Sequence, residues 1–182
     1  MKIRMSGPEV ELLKKYLKQA SRYFEYGCGG STVLAESFDN IKQIVSVESS
    51  GQWIESVKNR LITDKVKFHF VDINAGAWGA PIDKSKIDNW KGYSSEIAAH
   101  RNKFDLCLVD GRFRVACCLK AYSKLKDSGF LLVHDYTRPC YHDVEEVYEK
   151  IEQAESLAAF KKIPGRQSVI EAIYDKYKFN YQ

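Results

Sequence analysis

Two hydrophobic periods alternate along this chain. Stretches with apolar residues three and four apart mark single helix faces, and short runs rich in β-branched and aromatic residues between them mark buried strands. Val10, Leu13 and Leu17, with Leu12 and Tyr16 beside them, form the first stripe. Ser6-Gly7-Pro8-Glu9 opens it with a cap, a first-turn proline and the acid of a capping box. A strand is expected over about 22–26, then a helix over about 31–38 carrying Val33, Leu34 and Phe38. The run 41–48 predicts a second strand, and Trp53, Ile54, Val57 and Leu61 give the next helix its buried side. Residues 66–72 alternate as a third strand.

Residues 73–92 break every period, as long functional loops do, and a short helix is expected around 94–101. Phe104 to Gly111 reads as a fourth strand. Val115, Leu119, Tyr122 and Leu125 follow as a helix that Gly129 ends in a left-handed cap. Phe130 to Tyr136 is the fifth strand, and Pro139 opens a helix through Val144, Val147 and Ile151. Two more strands are expected at 157–163 and 167–174, parted by Pro164-Gly165. Strands alternating with helices imply right-handed crossovers: an α/β, doubly wound, mainly parallel sheet, in one domain spanning 1–182.

Composition narrows the setting. An apolar share of 45% and a charged share of 29% over 182 residues are those of a globular protein with a substantial core. No apolar run approaches the roughly 18 residues of a membrane span, and Met1 to Ser6 lacks the apolar core of a signal peptide. The five cysteines (28, 107, 117, 118, 140) are odd in number and lack zinc-like spacing, so a reducing, cytoplasmic location is expected. A net charge of +4 is too mild to argue for nucleic acid without a clustered patch. Oligomeric state leaves no mark in the sequence.

In doubly wound sheets, ligands bind beyond the carboxyl ends of the strands. Glu25, Glu48, Asp72, Asp110 and Asp135 fall at or just past the ends of five successive predicted strands. Such a rim of acids calls for a polar or cationic ligand, a metal, or catalysis. Between the first strand and its helix stands Glu25-Tyr26-Gly27-Cys28-Gly29-Gly30-Ser31-Thr32. Glycines there permit the tight turn and let a ligand approach the main chain, with the N–H groups of a helix start facing it. Thr32 stands where a strict G-x-G-x-x-G dinucleotide fingerprint wants its third glycine. Glu48, 19 residues past Gly29, is where a ribose hydroxyl pair binds in such folds. His69, in mid-strand, reads as a structural residue rather than a ligand.

With its acid two residues before the first glycine, E-x-G-x-G-G-S-T resembles the first motif of class I S-adenosylmethionine-dependent methyltransferases. Glu48, Asp72 and Asp110 match later motifs of that family. Trp78-Gly79, the stretch Leu108 to Arg114, and Val133-His134-Asp135-Tyr136 look like a small bacterial-type group within it. The resemblance implies a Rossmann-like three-layer sandwich whose seven-stranded, mainly parallel sheet has an antiparallel last strand. It implies S-adenosylmethionine as cofactor, with Gly27 and Gly29 beside the methionine part, Glu25 near its amino group, Glu48 on the ribose and Asp72 on the adenine amino group. The Ile73 main chain would meet the ring edge, and Tyr26, Cys28, Ser49 and Asp110 complete the implied cofactor contacts.

The reaction so implied is methyl transfer to a small-molecule acceptor, with a hydroxyl favoured. Asp110, His134 and Asp135 are the candidates for positioning the acceptor and taking its proton. Trp78, Arg112, Arg114 and Tyr136, with His142 nearby, are candidates for the acceptor wall, and guanidinium forks suit an anionic group. Asp110 and Asp135 also resemble two Mg²⁺ ligands of catechol-type O-methyltransferases, but Tyr136 stands where those enzymes have an asparagine, so no metal is assigned. Two other readings compete. A nicotinamide-dependent oxidoreductase would share the ribose acid, though Glu25 and Thr32 argue against it; a non-catalytic cofactor-binding module would keep the same fold.

Overall fold

The computed structural model describes residues 1–182. Five parallel strands form the body of its sheet: β1 (Arg22–Tyr26), β2 (Gln43–Glu48), β3 (Val66–Phe70), β4 (Phe104–Val109) and β5 (Leu125–Val133). A hairpin of β6 (Tyr148–Ala154) and β7 (Leu157–Lys162) completes seven strands in the order 3-2-1-4-5-7-6. The last strand, β7, runs antiparallel to both neighbours. Strand order reverses between β1 and β4, which is the switch point where doubly wound sheets open a crevice.

Helices cover both faces: α1 (Gly7–Leu17), α2 (Gly30–Glu36), α3 (Gly51–Lys58), α4 (Ile87–Ser95), α5 (Arg114–Ala121) and α6 (Gln167–Tyr177). Alternation along the buried strands sorts the core into two layers. Leu106 and Leu108 of β4 pack with Leu13, Leu17 and Ala35 under α1 and α2, while Cys107 and Val109 face the α4–α5 side with Trp90, Val115 and Leu119. Both arms of the capping box start α1, with Ser6 N donating to Glu9 Oε2 at 2.8 Å and Glu9 N to Ser6 Oγ at 3.4 Å.

Several expected elements fall differently. Residues 167–174 form the start of α6, not a strand. Val169, Ile170, Ile173, Tyr174 and Tyr177 recur at helical spacing, and all pack on the α5 side of the core. The helix after Pro139 is a 3₁₀ stretch, Pro139–Glu146, and Ile151 lies in β6, where pairing with β7 outweighs the helical spacing. Gly129 is no helix cap. It sits in a bulge of β5, where the register jumps from Phe104↔Leu125 to Leu106↔Phe130 and a Cβ would stand 3.0 Å from the Asp105 carbonyl oxygen. The expected helix at 94–101 begins earlier, at Ile87, so the aperiodic loop is shorter than its sequence suggests. No helix is long and apolar enough to cross a membrane.

Candidate active site

The turn after β1 is shaped by what its glycines touch. Gly27 has φ +89°, and a Cβ on it would lie 3.0 Å from the Asp110 carbonyl and from Gly111 Cα. The turn therefore packs main chain to main chain against the end of β4. A Cβ on Gly30 would fall 2.4 Å from Ile3 Cα, which seats the N-terminal segment on the start of α2. Gly29 is different: its Cβ would meet only Trp53 Nε1, at 3.9 Å, so its backbone is open to an incoming group.

Above this turn lies a cavity of about 1050 Å³ at the carboxyl ends of the strands, of ligand-binding size. Gly27 to Ser31 form its floor, and Glu48 to Ser50 with Trp53 one wall. Asp110 to Arg112, Arg114, His134, Asp135 and Arg138 form the opposite wall, with Tyr93 below them. Lys2 to Met5 and Gly76 to Ala80 complete the lining. Trp78 is held in it by the Arg4 guanidinium 4.5 Å above its ring, and its carbonyl accepts from Arg112 Nε at 2.9 Å and Nη2 at 2.5 Å.

Glu48 joins the floor to the wall. Its Oε1 accepts from Ser49 N at 2.6 Å, Ser50 N at 3.0 Å and Ser49 Oγ at 3.2 Å, and its Oε2 accepts from Cys28 N at 3.2 Å. Oε2 thus keeps lone-pair capacity for a further donor. Glu25 lies elsewhere: fully buried beneath the turn, it accepts from the hydroxyls of Tyr23 (2.9 Å), Ser31 (3.0 Å) and Thr32 and does not line the cavity. Burial raises its carboxyl to about 7 against the pull of those hydroxyls. Thr32 also accepts from Gly29 N at 2.9 Å, so the residue in the fingerprint's glycine position braces the turn.

At the other wall the acids meet cations. Arg114 Nη2 lies 3.3 Å from Asp110 Oδ1 and 3.1 Å from Asp135 Oδ2, between the two carboxylates that resemble Mg²⁺ ligands. Arg138 reaches Asp135 at 2.9 Å, and Arg114 also donates to the His134 carbonyl. His134 Nδ1 is 2.9 Å from Asp110 Oδ1, and its Nε2 is 3.6 Å from Glu9 Oε2. Burial works against the charged imidazole, yet the Asp110 hydrogen bond and charge, with Asp135 and Glu9, carry its pKa above the ordinary value. Burial likewise opposes the Glu9 charge, but Ser156 Oγ and N, Ser6 N and His134 together hold that carboxyl at about 2.

Of the residues singled out from sequence, the structure gathers Gly27, Cys28, Gly29, Glu48, Ser49, Trp78, Asp110, Arg112, Arg114, His134 and Asp135 around one cavity. It leaves Glu25, Tyr26, Asp72, Ile73 and Tyr136 off the lining. Tyr26 is buried with its hydroxyl on the Ser94 carbonyl, and Ile73 is a core residue. Asp72 accepts from Asn74 N at 3.0 Å and pairs with Lys86 at 3.3 Å. Tyr136 is buried and donates to Glu145 at 2.6 Å, with His142 Nε2 3.2 Å from its carbonyl. Glu9, Arg138 and the segment Lys2 to Met5 were not anticipated. The capping-box spacing accounts for Glu9 locally, but nothing local marks its contact with Ser156, 147 residues away.

No protein-family model matches the sequence, and no curated protein matches it. Among solved structures the chain is similar to a methyltransferase-like protein from Silicibacter pomeroyi DSS-3, at 29% identity over 98% of this chain and 97% of that one, with a TM-score of 0.86. N-methyltransferase NodS from Bradyrhizobium japonicum WM9, in complex with S-adenosyl-L-homocysteine, aligns at 14% identity over 87% and 89% of the two chains, with a TM-score of 0.57. An rRNA methylase from Streptococcus thermophilus aligns at 11% identity over 88% and 99%, with a TM-score of 0.58. The chain has the class I methyltransferase fold.

Proposed function

We propose that this protein is an S-adenosylmethionine-dependent methyltransferase acting on a small-molecule acceptor, with a hydroxyl as the favoured group. The observation that carries the reading is the placement of Glu48. It stands at the tip of β2, in the cavity, hydrogen-bonded to the glycine turn, and no lysine, arginine or histidine pairs with it. The residues present fit the cofactor: Gly29 leaves room for close approach, Glu48 Oε2 can accept a ribose hydroxyl, and an uncompensated carboxylate suits a cationic ligand. The similarity to a methyltransferase-like protein and the S-adenosyl-L-homocysteine bound by NodS support the same choice.

When bound, S-adenosylmethionine supplies a methyl group already activated on a sulfonium sulfur. The chain's task is then to place the acceptor, and proximity with orientation can contribute about 7–11 kcal/mol. His134 is the proton acceptor in this reading. Asp110 fixes Nδ1, Nε2 receives the proton, and Glu9 stabilises the resulting imidazolium. Against burial, Asp110, Asp135 and Glu9 raise the His134 pKa, which strengthens the imidazole as a base. Asp135, tied to two guanidinium groups, is the weaker base and serves to hold Arg114 and Arg138. Arg112 and Arg138 at the mouth suit an acceptor bearing a carboxylate or phosphate.

Calorimetric titration tests the cofactor: S-adenosylhomocysteine should bind and NAD should not. Glu48→Ala removes the acceptor and should weaken that binding by roughly 1.5–3 kcal/mol. Transfer of a labelled methyl group to members of an acceptor panel then separates an enzyme from a binding module.

A further inference from the structure

His69, Glu96 and His100 meet outside the cavity, at the edge of the sheet, and none of them lines the proposed methyl-transfer site. His69 comes from β3, the edge strand, paired only with β2. Glu96 opens the 3₁₀ turn Glu96–Ala99 that follows α4, and His100 ends it. One ligand atom from each of the three lies within 4.8 Å of those of the other two. His69 Nδ1 is 2.6 Å from a Glu96 carboxylate oxygen, a contact that places the proton on Nδ1 and leaves Nε2 as a lone-pair donor.

The Nε2 atoms of His69 and His100 are both buried without a hydrogen-bond partner. Buried polar nitrogens are almost always satisfied, so two orphans in adjoining rings, with centroids 5.2 Å apart, point to a missing partner shared between them. Phe24 and Phe104 pack edge-on against the His100 ring at 5.8 and 5.5 Å, which holds it inward rather than turned to water. Lys67 and Arg22 add positive charge nearby, and Glu96 offsets part of it.

We propose that His69, His100 and Glu96 form a binding site for a divalent cation of the zinc class, with water completing the coordination. Imidazole with a carboxylate suits zinc, copper or nickel rather than magnesium. Zinc–nitrogen bonds of about 2.0–2.1 Å in a tetrahedron set ligand atoms roughly 3.3 Å apart, so the cluster closes by side-chain rotation on binding. Its role is to fasten the edge strand β3 to the crossover that follows α4, because a cation bound only by the folded chain stabilises that chain by mass action.

The test uses the full chain freed of metal by chelator. Zn²⁺ should bind at one equivalent by calorimetry and raise Tm with concentration, and Co²⁺ should give the visible ligand-field absorption of a site with few ligands. His69→Gln and His100→Gln should each weaken Zn²⁺ binding at least about tenfold, and Glu96→Gln roughly 10–100-fold. His142→Gln should leave it unchanged, and circular dichroism checks that each variant is folded. Zinc affinity equal in wild type and both cluster histidine variants overturns the site. So does the absence of any zinc-dependent rise in Tm in wild type, which would assign the orphan nitrogens to buried water instead.

Discussion

At the β1–β2 end of the acid rim, Glu25 and Glu48 are held by hydroxyls and backbone N–H groups; at the β4–β5 end, Asp110 and Asp135 are held by Arg114, Arg138 and His134. The first arrangement orients its carboxyl groups with no cationic partner: Glu25 is shut beneath the turn, and Glu48 lines the space above Gly29. The second leaves little net charge but fixes two acids and a base in a rigid lattice. In the proposed reaction this contrast would divide the labour, with one end seating the cationic donor and the other managing a proton.

The sharpest way to break this division is to remove the base. His134→Gln should lower turnover of an identified acceptor by roughly 10²–10⁴-fold while leaving S-adenosylhomocysteine affinity close to wild type. Steady-state kinetics beside calorimetry reads both. A comparable loss of cofactor affinity would show that the two ends are not separate.

Next in size is Arg114→Met. It removes the mostly buried cation between Asp110 and Asp135, leaving only His134 and Arg138 to offset them, and stripping one partner from such a cluster costs up to about 3–5 kcal/mol. In a chain of this length Tm should fall by roughly 6–20 °C. At the opposite end, Ser31→Ala deletes only one neutral donor to Glu25 and should cost about 1 kcal/mol. If the two variants lose equal stability, the electrostatic contrast fails.

Most of this frame could be read from the chain because period and position carry it. The runs ending at Glu25, Glu48 and Val109 are too apolar and β-branched to be anything but buried strands, and an acid following such a run lands on the rim. What stayed hidden depends on partners far apart in sequence. Glu25 has the right spacing to touch a ligand, yet Tyr23, Ser31 and Thr32 enclose it from below. Asp72 stands two residues past the end of β3, so its side chain turns to Lys86 instead of the cavity. The α6 stretch misleads because Val169 and Ile170 suit a strand locally, and only packing on α5 reveals the helix. The pairing of His69 with Glu96 is hidden for the same reason, since the two are distant in sequence.

Glu25 offers a third test, smaller and confined to one pH window. Its folded pKa of about 7 lies above the usual carboxylate value, so between about 4.5 and 7 the unfolded chain releases a proton that the folded chain keeps. This group's share of stability is therefore present at low pH and declines as pH rises through that window, by a total on the order of 3 kcal/mol. Glu25→Gln cannot ionise; its amide oxygen can accept from Tyr23 and Ser31, while its NH₂ can donate to the Thr32 hydroxyl. Urea unfolding of both proteins from pH 4.5 to 7.5 should show the variant gaining on wild type as pH rises, and a constant difference would refute the shift.

The smallest effect expected is also the most local, and it tests whether the proton-handling end extends onto α1. Glu9 caps that helix and also stands 3.6 Å from His134 Nε2, too far for a good hydrogen bond but close enough for its charge to favour the imidazolium. In Glu9→Gln the charge is gone and the single amide oxygen keeps either the cap from Ser6 N or the bond from Ser156 N, since these fall on different oxygens of the carboxylate. The His134 pKa should then move down from its raised value, read from its ring-proton NMR shifts against pH and assigned with His134→Gln. The raised pKa gives stability that is full below about 6.5 and is lost as pH rises through the folded value, so Glu9→Gln should shrink that loss. The pH–rate profile should shift the same way, its ascending acid-side limb moving to lower pH. An unmoved His134 titration would confine Glu9 to its capping role and leave Asp110 and Asp135 to set the base.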